Sequence, residues 1–171
     1  MIRRHGGVVV AYRDLPAQHQ AAIAWYMSVN GEAWTLPDEL EGVLIRRSYD
    51  PKRGGISERL YKQKFLNLLP HYVEQYGDIT YGKVDIPTQV LRSEIMKRER
   101  DIKNDWPDFE SYHQWYVSEG AGEMPFHNVS KPLWPVILGD DEDVLEDGWH
   151  RFHHYHRKGV EIIPCVYYSR G

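Results

Sequence analysis

The sequence predicts an α+β fold with a mainly helical first half and a C-terminal core that contains the strands. Two observations support this. Residues 15–31 and 57–76 have the composition and spacing of helices. After residue 132, short apolar runs alternate with polar turns in the order strand, hairpin strand, helix, strand. We therefore divide the 171 residues into a helical region at 1–82, packed on the core, and a core at 83–171.

The first helix is predicted at 15–31. Asp14 can cap its start, Pro16 suits a first turn, and Gly31 can close its end in a left-handed conformation. Prolines and a glycine pair predict loops over residues 35–56. A second helix is expected at 57–76, with a break or kink at Pro70, because proline has no N–H to donate inside a helix.

The core is expected to open with the segment KVDIPTQVL, which starts as a strand and turns at Pro87. A long helix follows at 88–106 and stops before Pro107. A further helix at 109–120 ends at Gly120, and a loop rich in glycine and proline continues to residue 132.

The last forty residues have the clearest pattern. PLWPVIL at 132–138 and VLED at 144–147 flank the acidic turn GDDED, which predicts a β-hairpin. GWHRFHHYHRK at 148–158 predicts a helix that Gly159 ends, and VEIIPCVYY at 160–168 predicts a closing strand.

Composition excludes several classes of protein. The net charge of −4, with histidine neutral, argues against coating DNA by bulk charge. The single cysteine, Cys165, rules out an internal disulfide or a multi-cysteine zinc site, and its apolar surroundings predict a buried thiol. No apolar run approaches the 18 residues of a membrane span, and the N-terminal run is too short for a secretory signal, so we expect a cytoplasmic protein.

The segment EDGWHRFHHYHRKG at 146–159 holds four of the nine histidines. His150 and His154 are four residues apart and would share one helix face, as a zinc pair does. However, Arg151 stands where a metalloprotease has its glutamate, and a third ligand at a motif spacing is not evident. The pattern therefore disfavours a zinc site.

A phosphate site suits the same segment better. The chain passes from a strand through Asp147 and Gly148 directly into a helix, whose first N–H groups and dipole attract anions. Gly148 lets a phosphate approach the backbone, and His150 and Arg151 fall in the first turn, where they can donate charge-assisted hydrogen bonds. Asp147 is an anion at this place, so it would cap the helix, hold Mg²⁺ or take a proton. In the alternative interpretation, Asp147 is only the N-cap, and His150 and Arg151 are exposed.

The segments KVDIPTQVL, LWPVIL, VLEDGWHRFHHYHRKG and IIPCVYY together resemble the ParB/sulfiredoxin superfamily over residues 83–168, about half of the chain. The resemblance implies a small mixed sheet with surrounding helices. It also implies a nucleotide whose phosphates contact Gly148, Trp149, His150 and Arg151, although Trp149 suits packing in the core better than stacking on a base. Asp147 falls on the acid of the kinase-like and nuclease-like members, and Glu94 is a weaker candidate for a second acid.

Departures from the family narrow its implications. Trp149 stands where sulfiredoxins have their cysteine, which excludes sulfinic-acid reduction. The chain lacks the helix-turn-helix region of the partitioning proteins, so we do not expect that role. The DGWHRFH box, the size and the aromatic N-terminal helix look more similar to the plasmid fertility-inhibition proteins of this superfamily, which are associated with ATPase and DNase activity.

We therefore expect an ATP-binding, Mg²⁺-assisted ATPase and nuclease that acts on DNA and inhibits DNA transfer from a mobile element. Arg151 would neutralise transition-state charge, His150 would donate to an oxygen, and Asp147, with Glu94 as the weaker candidate beside it, would position Mg²⁺ or activate water. Two alternatives stay open. One is a small-molecule kinase with the same phosphate box, and the other is a non-catalytic inhibitor that binds a protein of a DNA-transfer machine.

Overall fold

The computed structural model describes residues 6–30, 34–35, 63, 65–120, 132–139 and 144–169. The chain forms two compact units, one from Ala11–Ile79 and the other from Met1–Val10 together with Thr80–Gly171. The predicted α+β class is confirmed, since a five-stranded mixed sheet is combined with helices. Most of the loops predicted at 35–56 and 120–132, and of the acidic turn 139–143, lie outside the described residues.

The Ala11–Ile79 unit is helical where it is described. Its helix α1 spans Ala17–Trp25 and continues into a π-helical turn at Tyr26–Asn30. Helix α2 spans Leu69–Tyr76, with Pro70 in its first turn, where the missing N–H has no intrahelical partner to lose. Where it is described, the helix predicted at 57–76 is interrupted at Leu68, two residues before Pro70, which agrees with the break or kink expected near this proline.

Aromatic rings hold this unit together. The ring of Trp34 stacks on Tyr76 with centroids 4.1 Å apart, and Tyr12 meets Trp34 edge-on at 5.0 Å. The Tyr12 hydroxyl donates to the Gln20 carbonyl oxygen at 2.7 Å, and Gln20 Nε2 donates back to the Tyr12 carbonyl oxygen at 2.9 Å. These reciprocal bonds satisfy buried polar groups on both sides of the turn that precedes α1.

The sheet has the strand order β1-β2-β5-β3-β4, and its strands are β1 Val8–Ala11, β2 Thr80–Pro87, β3 Val136–Leu138, β4 Leu145–Asp147 and β5 Ile162–Tyr168. Strands β2 and β5 are antiparallel, β3 and β5 are parallel, and β3 and β4 form the predicted hairpin. Cys165 lies between Val84 and Val136 on the two neighbouring strands. The predicted C-terminal strand is thus the centre of the sheet, and β1 is an edge strand that the sequence analysis missed.

Helices α3 Thr88–Arg98, α4 Arg100–Asp105, α5 Phe109–Trp115 and α6 Trp149–Arg157 belong to the same unit as the sheet. The prediction of one continuous helix at 88–106 is wrong. The helix is interrupted at Glu99, whose backbone is extended at φ −77° and ψ 97°. Glu99 Oε1 accepts a hydrogen bond from the Val144 N–H at 2.6 Å. This contact is tertiary, so neither a proline nor a glycine marks the break in the sequence.

The core lies between the sheet and these helices. Ile86, Leu91, Phe152 and Ile163 have no exposed surface. Cys165 is also fully buried, as predicted, and burial raises the pKa of its thiol. Trp149 is half-buried and packs against this core. Among the helices of the described ranges, none is long and apolar enough to cross a membrane.

Candidate functional site

Gly148 begins α6 in a conformation that favours glycine. Its φ is +93°, and it occupies the N-cap position without a side-chain capping bond. A Cβ at this residue would lie 2.9 Å from Arg151 Nη2 and 3.1 Å from Val136 Cγ1. The interpretation in which Asp147 caps the helix is therefore wrong, because the chain turns into α6 one residue later.

Arg151 lies at the start of α6 with its guanidinium folded back over Gly148. The residue is only 7% exposed, and Nε donates to the Pro135 carbonyl oxygen at 3.1 Å. Nη2 lies 3.7 Å from Asp147 Oδ2, and neither of these two atoms has a hydrogen-bond partner among the described residues. One edge of a buried cation is thus anchored while another lacks an acceptor, which is unusual for a polar group inside a protein.

The backbone adds to the positive potential at this point. The first α-helical hydrogen bond of α6 runs from the Phe152 N–H to the carbonyl oxygen of the N-cap residue, Gly148, at 2.8 Å. The amides of Trp149, His150 and Arg151 precede it and have no intrahelical acceptor. Together with the helix dipole and the guanidinium, they form an environment that suits an anion. The Asp147 carboxylate supplies a resident negative charge there, so an incoming phosphate would compete with it.

Tyr116, which the sequence analysis missed, contacts two histidines of α6. The Tyr116 hydroxyl lies 3.1 Å from His150 Nδ1. The Tyr116 ring stacks on His153 with centroids 3.7 Å apart and planes 10° from parallel. Tyr116 starts the π-helical turn Tyr116–Gly120 that follows α5. It is 34 residues from His150 in the sequence, so no local motif links the two.

His153 also belongs to a buried pair of histidines. His113 Nδ1 and His153 Nδ1 are 2.8 Å apart, a hydrogen bond that needs a proton on one nitrogen and a lone pair on the other. Burial, with smaller effects of His113 and His156, lowers the pKa of His153 to about 2. Burial also lowers the pKa of His113. Both rings are therefore neutral at neutral pH, and they connect α5 to α6.

The remaining predicted residues lie elsewhere. Glu94 Oε1 is 3.9 Å from Lys97 Nζ on its own helix, α3. His154 is buried at 4% exposure and does not share an open helix face with His150, which is half-buried. In the described part of the chain, no group of three or more His, Cys, Asp and Glu side chains is arranged to hold a metal ion. Among the described residues, Asp147 could contribute one carboxylate to a Mg²⁺ ion that also binds nucleotide phosphates, which is a common arrangement for this ion.

Comparison of the chain with protein-family models, with curated proteins and with solved structures found no match. The likeness to the ParB/sulfiredoxin superfamily therefore rests on the sequence segments quoted above. Chemically, the start of α6 combines a left-handed glycine, three amides, a buried guanidinium and one carboxylate. This combination can bind an anion and exchange a proton through Asp147.

Proposed function

We propose that the start of α6 binds the phosphate groups of a nucleotide, ATP with Mg²⁺, and that the protein hydrolyses the terminal phosphoanhydride bond of ATP and phosphodiester bonds in DNA. The proposal rests on one observation, the unsatisfied hydrogen-bonding capacity of Arg151 Nη2 within the described part of the chain. This atom belongs to a side chain that is more than nine-tenths buried, it lies beside the amides of the helix start, and it has no hydrogen-bond acceptor among the described residues. A phosphate oxygen would provide that acceptor.

Each residue of the site has a definite task in this proposal. Arg151 stabilises the charge that develops on the phosphoryl oxygens, an effect of about 3 kcal/mol for one well-placed donor. His150 donates to a phosphate oxygen, and Asp147 accepts the proton of the attacking water. Bound Mg²⁺, with Asp147 as a ligand, would neutralise phosphate charge and lower the pKa of a water. Glu94 is the weaker candidate for a second acid, because its carboxylate faces Lys97.

The sequence resemblance to the fertility-inhibition proteins supports the proposal of a DNA substrate and of inhibition of DNA transfer from a plasmid. Arg157 and Lys158 are exposed at the C-terminal end of α6 and would extend a positive surface toward a DNA backbone. They also complement the negative end of the helix dipole.

A second candidate function is a non-catalytic inhibitor that binds a protein partner. The hydrogen bond from Arg151 Nε to the Pro135 carbonyl oxygen and the ion pair with Asp147 favour it. In this alternative, the guanidinium only braces the turn between β4 and α6, and nucleotides do not bind.

Calorimetric titration of ATP, CTP and GTP, each with and without Mg²⁺, separates the two functions. We expect wild-type protein to bind Mg·ATP and Arg151→Gln to lose most of the affinity. Arg157→Gln is the matched control, since it removes an exposed cation from the far end of the same helix. Absence of nucleotide binding to a folded wild-type chain would exclude the hydrolase and leave the protein-binding function.

A further inference from the structure

We infer that Tyr116 is the positioning residue of His150, holding the imidazole in the neutral form that carries its proton on Nε2. The inference concerns the direction of the hydrogen bond between the Tyr116 hydroxyl and His150 Nδ1, which are 3.1 Å apart. Its consequence for phosphate binding rests on the proposed function. The tautomer itself does not, and it can be tested without any ligand.

Ring contacts restrict the orientation of the Tyr116 side chain and so the position of its hydroxyl. It stacks face to face on His153, with centroids 3.7 Å apart, and it meets Tyr112 edge-on at 6.0 Å. His150 and His153 are three residues apart, so both project from the same side of α6. The Tyr116 ring, in the turn that follows α5, is therefore fixed by His153 while its hydroxyl contacts His150. The π-helical turn that begins at Tyr116 is the kind of local irregularity often found at functional sites.

We assign the hydroxyl as the donor in this bond. Burial raises the pKa of Tyr116, so the phenol keeps its proton over the physiological pH range. Among the described residues, His150 Nδ1 is the only hydrogen-bond partner of that hydroxyl. A half-buried phenol donates its proton when an acceptor is in reach. His150 Nδ1 then acts as the acceptor, and the neutral ring carries its proton on Nε2.

This tautomer defines what His150 can offer a ligand. In this tautomer the proton of the neutral ring is on Nε2, and the Nδ1 lone pair accepts the hydrogen bond from Tyr116. A phosphate oxygen, which is an acceptor, matches that donor, whereas a water that must lose a proton does not. His150 therefore binds phosphate and leaves the role of the base to Asp147.

Long-range ¹H–¹⁵N NMR on the full-length chain tests the tautomer directly. We expect the neutral ring of His150 to show a protonated Nε2 and an unprotonated Nδ1 that correlates with the hydroxyl proton of Tyr116. Tyr116→Phe should abolish that correlation. Tyr112→Phe is the matched control, because it removes a neighbouring hydroxyl whose partner is His153, at 3.4 Å, rather than His150. A neutral His150 with its proton on Nδ1 in the wild type would overturn the inference.

Titration with Mg·ATP then tests the consequence. Tyr116→Phe should weaken binding about fivefold, the effect of one hydrogen bond, while Tyr112→Phe should leave it unchanged. Equal affinities of wild type and Tyr116→Phe would contradict the positioning role and leave the phosphate site intact. If the wild type bound no nucleotide, the proposed function would fail, and the NMR result would still decide the tautomer.

Discussion

Arg151 and Asp147 face each other across the first turn of α6, with Nη2 3.7 Å from Oδ2. This separation keeps the charges close but exceeds the length of a hydrogen bond. Both atoms are shielded from water and lack hydrogen-bond partners among the described residues. The carboxylate thus occupies the place beside the guanidinium without satisfying it. A phosphate oxygen that reached hydrogen-bond distance would be a better partner for Arg151 and would compete with Asp147.

Asp147→Asn should raise the affinity for inorganic phosphate about tenfold, because it removes the negative charge that competes for Arg151. The same variant should lose Mg²⁺-dependent hydrolysis, since the amide can neither accept a proton nor hold the ion as a carboxylate does. Calorimetry with phosphate and a phosphate-release assay measure the two effects. Glu146→Gln is the control, because it removes an exposed charge one residue earlier. Phosphate affinity that is unchanged or weaker in Asp147→Asn would contradict the competition.

Gly148→Ala should destabilise the fold more than Gly159→Ala. Both glycines have positive φ, +93° and +73°, so each alanine costs about 1–2 kcal/mol in backbone strain. Only at Gly148 would the added methyl also meet Arg151 and Val136, whereas nothing lies within 4 Å of the methyl at Gly159. Urea unfolding of the two variants measures the difference. Equal losses of stability would show that the guanidinium does not fill the space above Gly148.

Gly82→Ala should cost about 3 kcal/mol in the free energy of unfolding, the upper part of the usual range for an overpacked site. Gly82 lies opposite Tyr167 in the β2–β5 ladder, and a Cβ there would overlap the tyrosine ring. In a Tyr167→Ala background, the same substitution should be nearly neutral, because the ring has gone. Chemical denaturation of the four proteins in this double-mutant cycle gives the coupling. Additive effects would contradict the close cross-strand packing.

Stability should fall as the pH drops below about 6.5. Burial holds the pKa of folded His153 at about 2, below its ordinary value of 6.5, so only the unfolded chain takes up this proton between those values. The contribution of His153 to the free energy of unfolding is therefore fully present above pH 6.5. It declines on acidification by up to about 1.4 kcal/mol per pH unit. Urea unfolding at pH 7.5, 6.5 and 5.5 shows the slope. His153→Gln should flatten it, because the variant lacks the imidazole that the unfolded chain protonates. A wild-type stability that rises on acidification would be inconsistent with this.

The sequence predicted those features of the core that depend on local pattern. The hairpin of β3 and β4, the helix after Gly148 and the central strand around Cys165 are each marked by turn residues or apolar runs. Strand β1 had a signal that was overlooked, the three adjacent valines at 8–10. These elements could therefore be read from neighbouring residues alone.

Features that depend on distant contacts could not be predicted. The helix break at Glu99 is associated with a hydrogen bond from the Val144 N–H, and the hydrogen bond at His150 Nδ1 comes from the distant residue Tyr116. The burial of Arg151 likewise follows from the packing of α6 against Pro135, although the sequence did place Gly148, Arg151 and Asp147 at one helix start. Local spacing thus identified the components of the candidate site, and tertiary structure determined their partners.

The most direct measurement follows the backbone amides of Trp149, His150 and Arg151, with Arg151 Nε, in ¹⁵N-labelled full-length protein during titration with Mg·ATP. We expect these four resonances to shift together and to saturate at one affinity. Arg151→Gln should weaken that affinity, whereas Arg157→Gln should not. Resonances that remain unmoved at saturating nucleotide, or shifts confined to other parts of the chain, would contradict a phosphate site at the start of α6.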